Sequence, residues 1–323
     1  MARSWGWWTE QKLDILSDYL AAFSKASQKA GTTVYLDLFA GQAENVSRER
    51  SGHTIRGSAK RALDVRPPLS VLRFFELPAN ASGLEQTLRA EYPDRNFEVV
   101  PGDCNTTIRQ VLTELSGLRW APTFAFLDQQ STEVRWSTLA QLASHKIQNK
   151  TKTELWLLCA SGLIPRGLKI RQELDTTVIE RLNTMFNTDI WMQALEATRN
   201  NLLTGQQFRA ELTNLMRWQM ENELGYKKTR SFEVKNTSGR EIFDMIFATD
   251  HDVGDKIMKS VYQKAERQQP ALRLQARLQR KQAQEEGEGT FGLFDSAELT
   301  EMEDAGFHVE PLDEPPHPPY QLP

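Results

Sequence analysis

Cysteine is scarce in this chain: only Cys104 and Cys159 occur among 323 residues. Two thiols cannot build a disulfide framework or a four-thiolate metal site, so the fold has to be held by an apolar core. Long hydrophobic runs are also missing. The longest apolar stretches, "LWLLCA" and "IFDMIFA", fall far short of the roughly 20 residues that a membrane-spanning helix needs. The first residues, "MARSWGWWTEQKLDIL", contain no uninterrupted apolar segment and no small-residue cleavage site, which predicts a cytoplasmic protein without membrane association.

Basic residues are absent after Lys281, whereas residues 282–323 carry eleven Asp and Glu. The body therefore has seven more cations than anions, and the tail has eleven acids with no base. A modest positive excess is compatible with a polyanionic partner such as nucleic acid, without requiring one. Tail composition, rich in acid, Gly and Pro with sparse apolar residues, predicts a segment unable to bury enough surface to fold alone. Its "PPHPPY" adds a polyproline-like anchor, and its charge could restrain polyanion binding by the body.

Between these ends the pattern is regular. Leu13, Leu16, Leu20 and Phe23 recur at helical spacing, and Gly31 follows as a C-cap. Five near-continuous apolar runs come next: "VYLDLFA", "SVLRFFE", "FEVV", "TFAFLD" and "TELWLLCA". Such runs predict strands buried on both faces, and the helical patterns between them (around 57–65, 80–91, 105–117 and 136–147) predict right-handed βαβ units in a parallel sheet. From 170 to 225 only helical patterns remain. "RSFEVKN" and "EIFDMIFAT", joined by "TSGR", predict a hairpin, and 253–284 reads as one or two helices. The expected organisation is a core with an N-terminal helix over 1–165, a helical insertion over 166–230, a terminal hairpin and helices completing the core over 231–284, and an acidic Pro-rich tail over 285–323.

The strand ends carry the chemistry. "YLDLFAG" closes its strand with a turn whose Gly41 lets backbone approach a ligand, and "FFE" places Glu76 where an acidic residue meets ribose hydroxyls. "VVPGDCN" ends in Asp103 and "FAFLDQQS" delivers Asp128. Together with "WSTLAQLA", "GSAKRAL" and "FATDHDVGDKIMKSVY", the series over residues 7–265 closely resembles the bacterial three-Cys-motif partner family (TcmP), proteins similar to class I S-adenosylmethionine (SAM)-dependent methyltransferases. The resemblance implies a Rossmann-like α/β fold, mostly parallel with a terminal antiparallel hairpin. It also implies SAM as cofactor, held by Asp37, Phe39, Gly41, Glu76, Asp103 and Cys104, with Asp128, Gln129 and Gln130 at the reacting group. A partner protein, of three-Cys-motif type or another component of an antiphage defence system, or a nucleic acid, would be the methyl acceptor.

Two departures stand against the family pattern. Gln42 and Ala43 replace a Pro-Gly pair, removing a second close-approach glycine, and Gln129 to Ser131 replace Pro-Phe-Gly after Asp128. The second change removes the prolines that would stiffen the reactive loop, which favours the alternative of an altered or inactive binding or sensing module. His251 between two aspartates lacks nearby ligands and reads as a turn residue, and His53 as solvent-facing. Trp5, Trp7 and Trp8 read as packing of the first helix, with base stacking as the other use of such residues.

Overall fold

The computed structural model describes residues 4–5, 7–47, 54–146, 151–162, 164, 174–236, 241–288 and 314–322. Strand β1 is Ser4–Trp5 and helix α1 is Trp7–Ala26. The apolar run after Gly31 forms β2 (Val34–Asp37), fully buried along its length. Strands β3 (Glu44–Ser47) and β4 (Thr54–Arg56) precede α2 (Ser58–Asp64). Then β5 (Val71–Glu76), α3 (Pro78–Glu91), β6 (Phe97–Pro101), α4 (Cys104–Glu114), β7 (Thr123–Leu127), α5 (Trp136–Ser144) and β8 (Glu154–Cys159) alternate as the sequence pattern predicts. The helical stretch contains α6 (Thr176–Phe186), α7 (Trp191–Arg199) and α8 (Gly205–Asn222). The hairpin strands are β9 (Lys228–Lys235) and β10 (Glu241–Thr249); the turn expected at 237–240 and His53 lie outside the described residues. One helix, α9 (Asp252–Glu288), follows and runs through Pro270.

Seven strands form one sheet in the order β6-β5-β2-β7-β8-β10-β9. The first five are mutually parallel, and β10 enters antiparallel between β8 and β9. This is the mostly parallel Rossmann-like arrangement expected from alternating strands and helices. The chain leaves β2 toward β5 and β6 on one side, then returns to β7 and β8 on the other, so the loops after β2 and β7 diverge.

The core explains why these runs became strands. Strands β2, β7 and β8 are buried at every position, which needs helices on both faces. Helix α1 lays Leu16, Tyr19 and Leu20, none of them exposed, against the sheet, where the Tyr19 ring lies 5.0 Å from Phe124 and 5.1 Å from Phe247. Burying each such side chain contributes about 1.5–3 kcal/mol before entropy is counted. Trp7 is buried and Trp8 packs against the same cluster, as expected for packing of the lead-in helix. The buried Glu154 carboxylate is paired: it accepts from Tyr19 Oη and Thr249 Oγ1, both at 2.7 Å.

One feature was not expected. The polar stretch after "YLDLFAG" forms a hairpin of β3 and β4, with β1 pairing parallel to β3, a second small sheet. Its return leg brings Gly57 onto the turn after β2, where the Gly57 N–H donates to the Ala43 carbonyl at 2.8 Å. A Cβ on Gly57 would meet the Gln42 carbonyl oxygen at 2.2 Å, whereas one on Gly83, exposed within α3, would meet nothing within 4 Å. Gly57→Ala should therefore cost about 1–3 kcal/mol by overpacking the turn. Gly83→Ala should stabilise by about 0.5–1 kcal/mol through helix propensity. Urea denaturation of the two variants checks the opposite signs.

Candidate functional site at the carboxyl ends of the strands

The loops that follow β2, β5, β6 and β7 meet at one edge of the sheet, beside the point where strand order reverses. Ligands of open parallel sheets bind in that crevice, because diverging loops leave space there that helices fill elsewhere.

Gly41 adopts φ +64°, the left-handed region, and a Cβ there would meet nothing nearer than the Phe39 carbonyl oxygen at 3.9 Å. The turn is thus held in a conformation that glycine accepts without strain, with open space above it. Its N–H donates to Glu76 Oε2 at 2.7 Å, while Oε1 accepts from the Leu77 N–H at 3.0 Å and Asn80 Nδ2 at 3.1 Å. An ionised carboxylate has about four acceptor positions, so these three bonds leave one free for a ligand hydroxyl. Leu77 beside it is 57% exposed, an apolar surface facing solvent that sequence reasoning missed. It was legible as an apolar residue just past an acidic strand end.

Asp103 caps α4: its Oδ1 accepts from the Asn105 N–H and from Asn105 Nδ2, each at 2.9 Å. Asn105 Oδ1 in turn accepts from the Arg135 N–H at 2.9 Å and Thr138 Oγ1 at 2.8 Å, and its Nδ2 donates to the Glu133 carbonyl at 2.9 Å. The loops after β6 and β7 are thereby tied together by one amide. Phe39, half-buried, leans on the core from the same turn as Gly41.

Three expected contacts turn inward instead. Asp37 is fully buried, accepting from Tyr35 Oη at 3.2 Å and the Phe39 N–H at 3.4 Å, with Ser58 beside it. Burial raises its pKa to about 7, and the Asp128 charge adds to the rise. It organises the turn from below and makes no open ligand contact. Cys104 is 3% exposed on the first turn of α4, its thiol pushed up to about 12 by burial. It fills core space. Gln129 is fully buried: Nε2 donates to the Leu158 carbonyl at 2.9 Å, and Oε1 accepts from the Val134 N–H at 2.8 Å. The expectation of a loosened loop after Asp128 is corrected by these bonds, since an amide clamp ties the loop to β8 where prolines would otherwise stiffen it. Gln130 is exposed. Ala43 is also turned inward, 7% exposed in the core cluster, so its methyl is packing rather than an obstruction over the crevice.

Asp128 has a partner that the sequence reading did not foresee. Lys12, its side chain 6% exposed, reaches from α1 to both Asp128 oxygens at 2.6 and 2.5 Å. The signal was present: Lys12 lies one helical turn before Leu16 on the buried stripe, and an ammonium there needs an anion. His251 accepts from the Val253 N–H at 3.2 Å through Nδ1 and so caps the start of α9, as a turn residue should. Among the described residues no cluster of His, Cys, Asp and Glu could hold a metal. A surface pocket of about 530 Å³ lies away from this crevice, between α1 and β4, and one of about 470 Å³ between α5 and α6 borders the loop after β7 at Arg135.

The sequence matches no family model and no curated protein.

Breaking the Lys12–Asp128 pair leaves a carboxylate without its partner, which costs about 3–5 kcal/mol when a buried ion pair loses one member. Lys12→Met should approach that loss, and Lys12→Met with Asp128→Leu should regain most of it, as read by denaturant midpoints. Asp37 gives a pH signature. Its folded pKa of about 7 lies above the ordinary carboxylate value of 3.8, so the folded state keeps a proton that the unfolded chain releases. Wild-type stability should fall as pH rises from about 4 to 7, relative to Asp37→Asn, and the difference should level off above 7. Thermal melts of the pair across that window measure it.

Proposed function

We propose that the chain is a class I methyltransferase-like protein that binds SAM, or its demethylated product S-adenosylhomocysteine, at the carboxyl ends of β2, β5 and β6. The observation that carries this reading is the Gly41 turn bonded to Glu76 at the reversal of strand order, within a sheet whose antiparallel strand is second from one edge. The resemblance of the motifs to this class implies a mostly parallel sheet with a terminal antiparallel hairpin, and the sheet has both. The donor set fits a nucleoside: Glu76 offers an acceptor for a ribose diol, Leu77 an apolar face for a base, and Asp103 a carboxylate for an amino group. SAM supplies an electrophilic methyl group on a sulfonium. The protein's part is positioning, which can supply about 7–11 kcal/mol when two bound reactants are held in line.

On the acceptor side, the loop after β7 carries Asp128 and the exposed Gln130. Lys12 holds the Asp128 carboxylate in place, and Gln129 holds the loop backbone. A nucleic acid or a partner protein remains the acceptor class in this reading. The motifs resemble the bacterial three-Cys-motif partner family, and an antiphage defence setting and a cytoplasmic location belong to the same proposal.

A second reading is favoured by the Lys12–Asp128 pair itself. A carboxylate already engaged by a buried ammonium has less capacity to orient an incoming amine, so the same crevice would serve as a binding or sensing module without transfer.

Calorimetry of the full chain with SAM and with S-adenosylhomocysteine tests the cofactor assignment. Binding should be saturable, and Glu76→Ala should lose about 1.5–3 kcal/mol of affinity through its charge-assisted hydrogen bonds. Absence of binding at millimolar ligand overturns the assignment. Binding without methyl transfer to nucleic acid or protein fractions selects the second reading.

A further inference from the structure

Residues Glu314 to Leu322, near the carboxyl end, lie against the helical insertion, far in sequence from everything they touch. Their sequence, EPPHPPYQL, dictates an extended backbone: four prolines fix φ, and Glu314, Pro315, His317 and Pro318 each precede a proline, which disfavours the helical region. A polyproline helix has about three residues per turn, so Pro316 and Pro319 share one side. Those two are the partly buried prolines, whereas Pro315 and Pro318 are exposed. Tyr320 packs against the main core cluster.

A proline-rich strand has few N–H groups to offer, and side chains of the insertion capture those of His317 and Leu322. From His317 onward only His317, Tyr320, Gln321 and Leu322 retain one. Asn214 Oδ1 accepts the His317 N–H at 3.0 Å while its Nδ2 donates to the His317 carbonyl at 3.0 Å, so one side-chain amide reads both backbone groups of one residue. Glu211 lies beside Tyr320, and its Oε1 is 3.6 Å from His317 Nε2. Gln193 Oε1 accepts the Leu322 N–H at 3.0 Å, and Arg217 Nη2 donates to the Glu314 carbonyl at 2.7 Å. The match is periodic: Glu314, His317 and Tyr320, three residues apart, meet Arg217, Asn214 and Glu211, three residues apart in the reverse direction.

Asn214 is 8% exposed, and an amide so buried is costly unless its donor and acceptor are paired. Both of its functional groups find their partners on the tail. The surface is therefore built around an extended peptide backbone rather than covered by chance. We propose that the α7–α8 face is a recognition site for proline-rich peptides of the Pro-Pro-x-Pro-Pro-Tyr type, with the chain's own residues 314–322 as its resident occupant. Tethering makes that occupant intramolecular, so it screens the site against external peptides of the same chemistry. A partner would have to present a matching segment and displace it. The proposal is independent of cofactor binding, because none of these residues belongs to the crevice after β2.

A fluorescein-labelled peptide with the sequence of residues 314–322, titrated into the full chain, tests this by fluorescence anisotropy. Substituting Pro316, Pro319 and Tyr320 by Ala in the chain's own tail should vacate the site and tighten labelled-peptide binding by about tenfold or more over wild type. Adding Asn214→Ala to that tail variant should weaken binding by about tenfold through loss of two backbone hydrogen bonds, and Arg217→Ala should weaken it less. In wild type, hydrogen–deuterium exchange should show slowed amides at His317 and Leu322, a readout that needs no variant to fold. Equal peptide affinity in wild type and tail variant, indifference to Asn214→Ala, no peptide binding in any chain, or fast exchange at those two amides overturns the proposal.

Discussion

The bond from the Gly41 N–H to the Glu76 carboxylate is the constraint on which the rest of the site depends. It joins the loop after β2 to the end of β5, two strands that are neighbours in the sheet, and it fixes the side of the crevice nearest the reversal of strand order. Gly41 supplies it only because its backbone sits at φ +64°, and that conformation is held from below by Asp37 and Ser58 and from behind by Gly57. A buried carboxylate raised to about 7, a glycine with no room for a methyl and a left-handed turn all serve one short stretch of backbone. Locally costly features of this kind persist where the surrounding structure over-determines them.

The other side of the crevice is organised by charge and amide pairing. Lys12 carries the helix α1 into contact with the loop after β7, and Gln129 binds that loop to β8. Asn105 then ties it to the loop after β6. The result is a set of strand-end loops cross-braced by side chains, with open polar and apolar groups (Glu76, Leu77, Asp103 and Gln130) left at the rim. The loop after β7 takes its stiffness from a fully buried glutamine, Gln129, which bonds both β8 and the loop backbone.

Much of the sheet was readable from residue type alone. Near-continuous runs such as "TFAFLD" and "TELWLLCA" read as strands covered on both faces, and the breaks between them held helical periodicity, so parallel direction followed from short right-handed connections, while the order of the strands did not. The small sheet was not readable, because β3 and β4 are polar and carry no alternation strong enough to separate them from a loop. Asp37, Cys104 and Gln129 show a second limit: motif position placed them correctly at strand ends, but only packing decides whether a side chain at a strand end faces the crevice or the core. The docked tail marks a third. Its composition says that it cannot fold alone, which is true, yet Asn214 and Glu211 on α8 give it a surface on which to order, and nothing in the spacing of those residues announces a peptide partner.

The central claim is that the Gly41 turn is a nucleoside-binding crevice. Amide chemical shifts, followed by NMR while S-adenosylhomocysteine is added to the full chain, address it residue by residue. The account predicts saturable shifts at Gly41, Leu77 and Asp103 with one common affinity, and none at Asn214 or Arg217 on the peptide-bearing face of α8. Unchanged amides at Gly41 and Leu77, or shifts confined to the insertion, would contradict it.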